Sequence, residues 1–519
     1  MSKIPDSIRQ DADKIKIEFE RKTGLIPIRF EIKERAEGYL LIFDIGFLTD
    51  RFYKILETLL SNNDLKENYF VERTVLRRKA NLPWLNSIEA KLYQKVLSES
   101  LVVDQHTFES DFLDRYIQSM IGAEDQLLSK NNHVVFGRRG SGKSSILLYI
   151  KHIREQNNNI NIWISMQTYE HRKDNLVFID IIKEILLQLS KINSNEKEIR
   201  EILKKIKAIE DKAVNDASLV NDENLNKIVP EIRRVLAKII SANGELFIFL
   251  DDFHVLEMSY QAMLLSKIYS FTRGNKIYLK ISAIEIFSKL FDSANRMGLE
   301  IGNDIQRITL DYNLTIPDKA KKHIEKIFEA HAHYCGLPNF TVLCNGEKLI
   351  SRLVWASAGV PRDAVNMLLQ AILKTKEKGK TKISLTDINI ATAEALNDKK
   401  RAAKIDSAPN DQNLLDLLTS IEAFCLDSAS NAFLILIQDN NVVYERINKL
   451  IDLRFLHIIN KSITPDKAGV KYLALILDYG FYVGIRRAKT LSLFKENLIE
   501  APSIKELRKL PKYKYQNQF

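Results

Sequence analysis

Five short candidate strands, separated by longer stretches of helical periodicity, fill the middle of this 519-residue chain. They are Val134–Phe136, Asn161–Met166, Leu246–Leu250, Ile277–Ala283 and Ile305–Thr309. Leu246–Leu250, short and fully apolar, suits a strand buried on both faces. Helical patterns between the five supply crossovers, so the expectation is an α/β fold around a parallel sheet. Between Ile192 and Pro230 the chain is polar and rich in Lys and Glu, and reads as a charged helical insertion. Ahead of the first run, 108–130 reads as helical.

The flanks have other periods. Ile8 to Lys22 and Arg51 to Leu60 read as amphipathic helices, while Ile26–Lys33 and Tyr39–Ile45 alternate like the strands of a hairpin. Beyond Pro317, the segments Lys319–Tyr334, Glu347–Ala358, Arg362–Lys376 and Thr386–Lys404 predict an all-helical bundle. Ser384 with Asp387 three residues on forms a variant capping box at the last of them. The C-terminal part reads as a helix (Asn413–Leu426), a strand or buried helix (Ala432–Gln438), a helix (Val443–Leu453), an apolar run (454–459), a polar tip (Asn460–Gly469) and a strand (Val470–Leu477). Helix, strand, polar tip and strand together suggest a winged helix. The expected organisation is an accessory α+β module (1–105), an α/β core (106–316), a helical lid (317–404) and a winged-helix-like domain with a basic tail (405–519).

Composition narrows the class only a little. The formal net charge is +10, which permits nucleic acid or another polyanion as partner. No apolar run is long enough to span a bilayer. The N-terminus shows no apolar signal core, and three cysteines are too few for a disulfide framework, so the expected setting is the cytoplasm. His331, His333, Cys335 and Cys344 lie close in sequence, but H-x-H-x-C-x₈-C is no usual zinc spacing; they read as structural residues of the lid.

The chemistry sits at the ends of two apolar runs. Gly137-Arg138-Arg139-Gly140-Ser141-Gly142-Lys143-Ser144 matches G-x-x-x-x-G-K-[ST] between a strand and a helix, with Ser145 next in line. Glycines allow backbone N–H groups to curl around phosphates, and the helix dipole faces the same anion. Lys143 can reach the β- and γ-phosphates, and Ser144 can place its hydroxyl on Mg²⁺. Leu246–Leu250 ends in Asp251-Asp252, where Asp251 can hold Mg²⁺ through water and Asp252 can polarise the attacking water.

With these motifs the chain resembles AAA+ ATPases, in particular the origin-recognition and replication-initiator ATPases of prokaryotes. The resemblance covers about 108–482. It assigns Ser282, at the tip of Ile277–Ala283, to the polar sensor position. It assigns Arg362, in Gly359-Val360-Pro361-Arg362, to the lid arginine that touches the γ-phosphate. It also implies an arginine finger acting in trans, for which Arg307 and Arg296 are candidates, although an ion pair on the last sheet strand is the simpler reading of Arg307. One departure is plain: the family pattern is Asp-Glu where this chain has Asp251-Asp252, and the shorter second acid puts rapid hydrolysis in question.

In the winged-helix reading Tyr444, Arg446, Asn448 and Lys449 face DNA, and Lys461 and Lys467 meet phosphates; contacts to protein alone are the other option. Arg486, Arg487, Lys489, Lys495, Lys505, Arg508, Lys509, Lys512 and Lys514 in the tail suit either a nucleic-acid backbone or solvent, as does the cluster Arg73, Arg77, Arg78 and Lys79. The expected function is an ATP-binding and ATP-hydrolysing homo-oligomer that couples nucleotide state to double-stranded DNA. Two rivals stay open: a nucleotide-controlled signalling switch acting on an effector protein, as in antiviral defence, and a scaffold that binds nucleotide without turnover.

Overall fold

Strands buried on both faces and helices buried on one divide this protein as the hydrophobic pattern anticipates. The computed structural model describes residues 4–35, 38–61, 69–70, 83–105, 110–170, 172, 176–192, 196–215, 222–310, 314–405, 412–438, 441–465, 469–483 and 502–514. The basic cluster Arg73, Arg77, Arg78 and Lys79, the tip residue Lys467, and Arg486, Arg487, Lys489 and Lys495 lie outside the described residues. Two compact units result. One comprises Met1–Val102, Glu109–Ile117 and Tyr312–Phe519; the other comprises Val103–Phe108 and Gln118–Asp311.

The first unit begins with α1 (Asp6–Thr23), which buries Ile8, Ala12, Ile15 and Phe19 along one face and stops at Gly24 in the left-handed region (φ 77°). Strands β1 (Phe30–Arg35) and β2 (Gly38–Phe43) pair antiparallel with Phe30 opposite Phe43. Helix α2 (Asp50–Ser61) follows, then β3 (Tyr69–Phe70), α3 (Ile88–Glu99) and α4 (Ser110–Leu113). Ser87 caps α3 by accepting from Ala90 N–H at 3.2 Å.

The second unit continues with α5 (Ala123–Leu128), β4 (His133–Phe136), α6 (Lys143–Gln156), β5 (Ile160–Ser165), α7 (Leu176–Ile192), α8 (Glu196–Asn215), α9 (Asp222–Asn243), β6 (Leu246–Asp251), α10 (Met258–Thr272) and β7 (Ile277–Ala283). A small hairpin, β8 (Phe291–Asp292) with β9 (Met297–Gly298), precedes β10 (Gln306–Thr309). Strands β4, β5, β6, β7 and β10 form one parallel sheet in the order β10-β4-β7-β6-β5, with the edge strand β10 mostly exposed. This is the α/β sheet expected from the apolar runs. Strand β7 lies between the strand that feeds the glycine loop and the strand that ends in the acids, so its tip reaches both. The insertion folds as the helices α8 and α9, and α8 turns Ile199, Ile202 and Ile206 inward. Their polar sides carry ion pairs Lys205–Glu231 (2.7 Å) and Lys238–Glu198 (2.6 Å).

The lead-in segment departs from expectation. Among the described residues of 108–130, α4 and α5 form in place of a continuous helix, with non-helical chain between them. Gly122, at φ 66°, starts α5 from a left-handed conformation that breaks the helical path.

The first unit resumes with α11 (Pro317–Tyr334), α12 (Lys348–Ala356), α13 (Pro361–Glu377) and α14 (Leu385–Ile405), the expected all-helical bundle. Asp387 accepts from the Ser384 N–H at 3.0 Å and from its hydroxyl at 2.5 Å, so the capping acid reaches back to the helix entrance. The N-terminal elements pack on this bundle: Arg51 donates to the Tyr334 carbonyl (3.2 Å) and hydroxyl (3.0 Å) and stacks on its ring at 3.8 Å. His331 is buried between Ser100 Oγ (2.9 Å) and the Ile327 carbonyl (2.8 Å). His333 meets the Pro338 carbonyl at 2.9 Å, and Cys335 and Cys344 are buried free thiols.

After α15 (Gln412–Asp427) come β11 (Ala432–Leu436), α16 (Val442–Asp452), β12 (Leu456–Ile463), β13 (Tyr472–Leu477), α17 (Gly480–Val483) and α18 (Ile504–Leu507). The strands form an antiparallel sheet, β11-β13-β12. Residues 460–463, expected in the polar tip, extend β12 instead: Ile463 pairs with Tyr472 across register shifts that let a polar stretch stay in the ladder. This sheet is bound to the bundle by ions. Arg454 of the α16–β12 turn pairs with Asp363 on α13. Lys399 on α14 reaches Asp478 at 3.1 Å, and His457 reaches the same carboxylate at 3.1 Å.

Asp478 is fully enclosed. Burial pushes its carboxyl up, but Lys399, His457 and the Gly480 N–H outweigh burial and hold it well below the usual carboxylate range. Its folded pKa being depressed, the contribution is present above the unfolded value near 4 and fades as pH falls below it. Asp478→Asn is therefore expected to destabilise the protein by about 3 kcal/mol at neutral pH, because Lys399 and His457 lose their shared carboxylate partner. Thermal melts of both proteins across pH check this: the gap should narrow below about pH 4.

Candidate phosphate-binding site

The site is built within the second unit at the C-terminal rim of the parallel sheet, where open α/β sheets place ligands. Strand β4 is wholly buried and delivers Gly137 to the rim. A Cβ on Gly137 would run into the Leu310 carbonyl and Ser141 Oγ, so only glycine lets the loop pass this close to the neighbouring strand end. Gly140 and Gly142 adopt positive φ (80° and 93°), and Gly142 opens α6 without a side-chain cap. The first-turn N–H groups of α6 therefore face the loop, which is how helix N-termini receive anions. Arg138 is buried and Arg139 exposed, while Ser145 is half-buried on the first turn.

Lys143 is enclosed by the loop, its Nζ donating to the carbonyls of Gly137 (2.9 Å) and Arg138 (3.2 Å). Ser144 Oγ donates to Asp251 Oδ1 at 3.1 Å. Ser282 Oγ donates to that same oxygen at 2.5 Å and accepts from the Asp252 N–H at 2.8 Å. The three parallel strands thus bring Lys143, Ser144, Asp251, Asp252 and Ser282 to one place, although they are spread over about 140 residues of sequence.

Two residues join them that sequence reasoning did not single out. Gln167 Nε2 donates to Asp252 Oδ2 at 2.8 Å, and His254 Nδ1 lies 4.0 Å from Asp252 Oδ1. Gln167 follows the end of β5, the same kind of strand tip that pointed to Ser282, and that was the available signal. Asp252 itself has φ 56°, a left-handed conformation uncommon outside glycine, which turns its side chain away from the path of Asp251.

Electrostatics mark Asp251 as the strained member. Burial, then the charge of Asp252, raises its carboxyl to about 6, against the pull of Ser282, Ser144 and Lys143. Burial likewise lowers His254 to about 4, with Lys143 and Arg139 adding to the effect against Asp252. A hard divalent cation suits this set: a hydroxyl and a carboxylate converge from two elements, and the carboxylate lacks a full counter-charge. Phosphate suits the adjacent loop. Its glycines leave the backbone bare, and Ser141 Oγ is buried with no hydrogen-bond partner among the described residues.

Other candidates sit elsewhere. Arg307, on the edge strand β10, donates to Glu285 at 2.6 Å and to Thr309 Oγ1 at 3.3 Å, and its guanidinium lies 5.4 Å from the Phe136 ring centre. Arg296 is exposed in the β8–β9 turn. Arg362 belongs to the first unit, on the first turn of α13, with the ion-paired Asp363 beside it.

Residues 152–352 match the family model described as ORC-CDC6-like. No curated protein matches the chain. Among solved structures, similar chains include Cdc6p from Pyrobaculum aerophilum, at 14% identity over 79% of this chain and 98% of that one, with a TM-score of 0.35. The Aeropyrum pernix ORC1 protein, solved in complex with DNA, shares 13% identity over 70% of this chain and 90% of its own (TM-score 0.37). Drosophila ORC bound to DNA shares 12% over 85% and 99% (TM-score 0.38). These are loose likenesses.

The raised Asp251 carboxyl has a measurable consequence. At pH 8 it is ionised folded and unfolded, and the folded state bears the cost; as pH falls through about 6 toward 4 the folded state takes up a proton and the cost disappears. Asp251→Asn should therefore raise the melting temperature of the nucleotide-free protein at pH 8, by roughly 2–4 °C, and by much less at pH 5. An unchanged or lowered melting point at pH 8 would contradict it.

Proposed function

We propose that this chain, which carries an ORC-CDC6-like domain and resembles AAA+ ATPases, binds and hydrolyses ATP and couples its nucleotide state to double-stranded DNA. The observation that carries the first half is the meeting of Ser144 and Ser282 on one oxygen of Asp251, next to the enclosed Lys143. A loop that exposes N–H groups, a lysine ammonium and a buried carboxylate at one rim are the parts that phosphoryl transfer needs.

In this reading residues 137–145 cradle the phosphates: Gly137, Arg138, Arg139, Gly140, Ser141 and Gly142 through the loop, Lys143 by its ammonium, and Ser144 and Ser145 at the helix start. Ser144 and Asp251 would hold Mg²⁺, which supplies charge neutralisation when bound. Asp252 orients the attacking water, and Gln167 holds Asp252 by its outer oxygen. Because Asp252 is a methylene shorter than glutamate, turnover is slow. Ser282 ties the tip of β7 to the acids, and Arg362 carries the nucleotide-sensing role its motif implies. Arg307 acts as a trans finger only after leaving Glu285, which a homo-oligomeric neighbour would have to outbid.

The DNA half rests on the C-terminal sheet. The order α15, β11, α16, β12, β13, with a β12–β13 hairpin, supports a winged helix. Helix α16 buries Val443, Ile447, Leu450 and Ile451, leaving Lys449 exposed and Tyr444, Arg446 and Asn448 partly so.

Steady-state phosphate release with and without duplex DNA tests both halves. Wild type should turn over slowly, with stimulation by DNA that fades as salt rises. Lys143→Ala should bind ATP at least tenfold more weakly and release no phosphate above background. Release from neither protein would leave a scaffold, whereas ATP-dependent capture of a partner protein without DNA binding would favour the signalling switch.

A further inference from the structure

The segment 511–513 of the tail adds itself to the C-terminal sheet. Leu434 N–H donates to the Pro511 carbonyl at 2.8 Å, and Tyr513 N–H donates to the Leu434 carbonyl at 2.9 Å, so the segment around Lys512 runs parallel to β11 on its open edge. Tyr513 anchors it. Its ring centre lies 5.2 Å from Phe424 and 6.0 Å from Phe433, and its hydroxyl shares a hydrogen bond with Ser420 Oγ at 2.9 Å. Side chains alternate along an extended segment, so Lys512 and Lys514 emerge on the side opposite Tyr513.

Direction decides where those lysines go. Strand β11 runs toward Asn441, the cap of α16. A segment parallel to β11 ends at that same end of the sheet. The β12–β13 hairpin turns there too, because Tyr472 pairs with Leu436 on one side and with Ile463 on the other. Lys512 Nζ accordingly lies 5.6 Å from the Tyr472 ring centre, beside exposed Lys471, while exposed Lys461 stands near the end of β12. Among the described residues Lys461, Lys471 and Lys514 form no ion pair. Topology has gathered lysines from three separate stretches of chain at one end of one small sheet.

An edge strand needs covering, and Tyr513 with two backbone hydrogen bonds already does that. Covering an edge requires no outward lysine. Lys461, Lys471 and Lys514, exposed and without a carboxylate partner among the described residues, suit a polyanion.

We propose that the docked tail is part of a duplex-DNA surface, in which Lys512 and Lys514 contact backbone phosphates alongside Lys471 and Lys461 of the hairpin. The inference rests on the DNA-binding reading above. It predicts sequence-independent contacts, because phosphates position a protein without reporting base identity.

Anisotropy titrations of a fluorescent 30-base-pair duplex with the full-length protein, across a salt series, provide the test. The double variant Lys512→Gln with Lys514→Gln should weaken binding roughly tenfold and flatten the log K against log salt slope by about 1–2, equally for unrelated sequences. Its DNA-free ATPase rate and melting temperature should stay at wild-type values. Tyr513→Ala, which keeps both lysines but removes their anchor, should lose comparable affinity. If both tail variants keep the wild-type slope while Lys449→Gln on α16 lowers affinity, the tail inference is overturned and the DNA reading stands. If the wild type binds no duplex at any salt, that reading fails and takes the inference with it.

Discussion

One carboxylate oxygen, Asp251 Oδ1, is where the second unit's architecture converges. Ser144 reaches it from the helix that follows the glycine loop, and Ser282 reaches it from the tip of the strand between. This meeting requires β7 to lie between β4 and β6, with all three parallel and in register, so that a loop, an acid and a hydroxyl arrive at the same height. A buried carboxylate beside a second acid is unfavourable by itself. The sheet imposes that arrangement through the burial of β4 and β6, whose residues are enclosed along their whole length. Strain held at a rim by a well-packed sheet beneath it is the pattern of a site arranged for a ligand's charge.

The first unit has its own organising contacts, and these too are ionic. Asp363, next to Arg362 on the first turn of α13, pairs with Arg454; Asp478, at the end of β13, collects Lys399 and His457. Arg454 occupies a left-handed backbone conformation (φ 64°) at the exit of α16, so both its backbone and its side chain are committed to this junction. A displacement of α13 would therefore act on the turn between α16 and β12 directly. The helix start that carries Arg362, proposed to sense nucleotide, and the helix proposed to face DNA are joined within one unit by the Asp363–Arg454 pair.

Much of this was legible in the chain because the forces responsible are local or strongly patterned. The five sheet strands form within a residue or two of the runs, and for β4, β5, β6 and β7 burial on both faces leaves a nearly continuous apolar signal, while β10 is a mostly exposed edge strand. The glycine loop and the bundle helices were equally plain. What escaped notice depended on tertiary placement. Gln167 is an ordinary polar residue until the register of β5 with β6 sets Ser165 opposite Asp251 and carries Gln167 to Asp252. His254 joins the acids only because Asp252 takes a left-handed turn. The lead-in segment looked helical from its composition, but Gly122 and the non-helical chain before it divide it. Residues 460–463 read as a polar tip, yet cross-strand pairing with shifted register draws them into β12. The tail's docking on β11 is set by one tyrosine among many basic residues, a contact that no periodicity announces.

Equilibrium titration of a fluorescent ATP analogue in the presence and absence of Mg²⁺, for wild type and Ser144→Ala, tests the central claim most directly. The account predicts Mg²⁺-enhanced binding by the wild type and loss of that enhancement when the Ser144 hydroxyl is removed, with residual metal-independent binding through the loop. Binding that is indifferent to Mg²⁺ in both proteins, or no binding in either, would contradict the assignment of Asp251 and Ser144 to a nucleotide-bound cation.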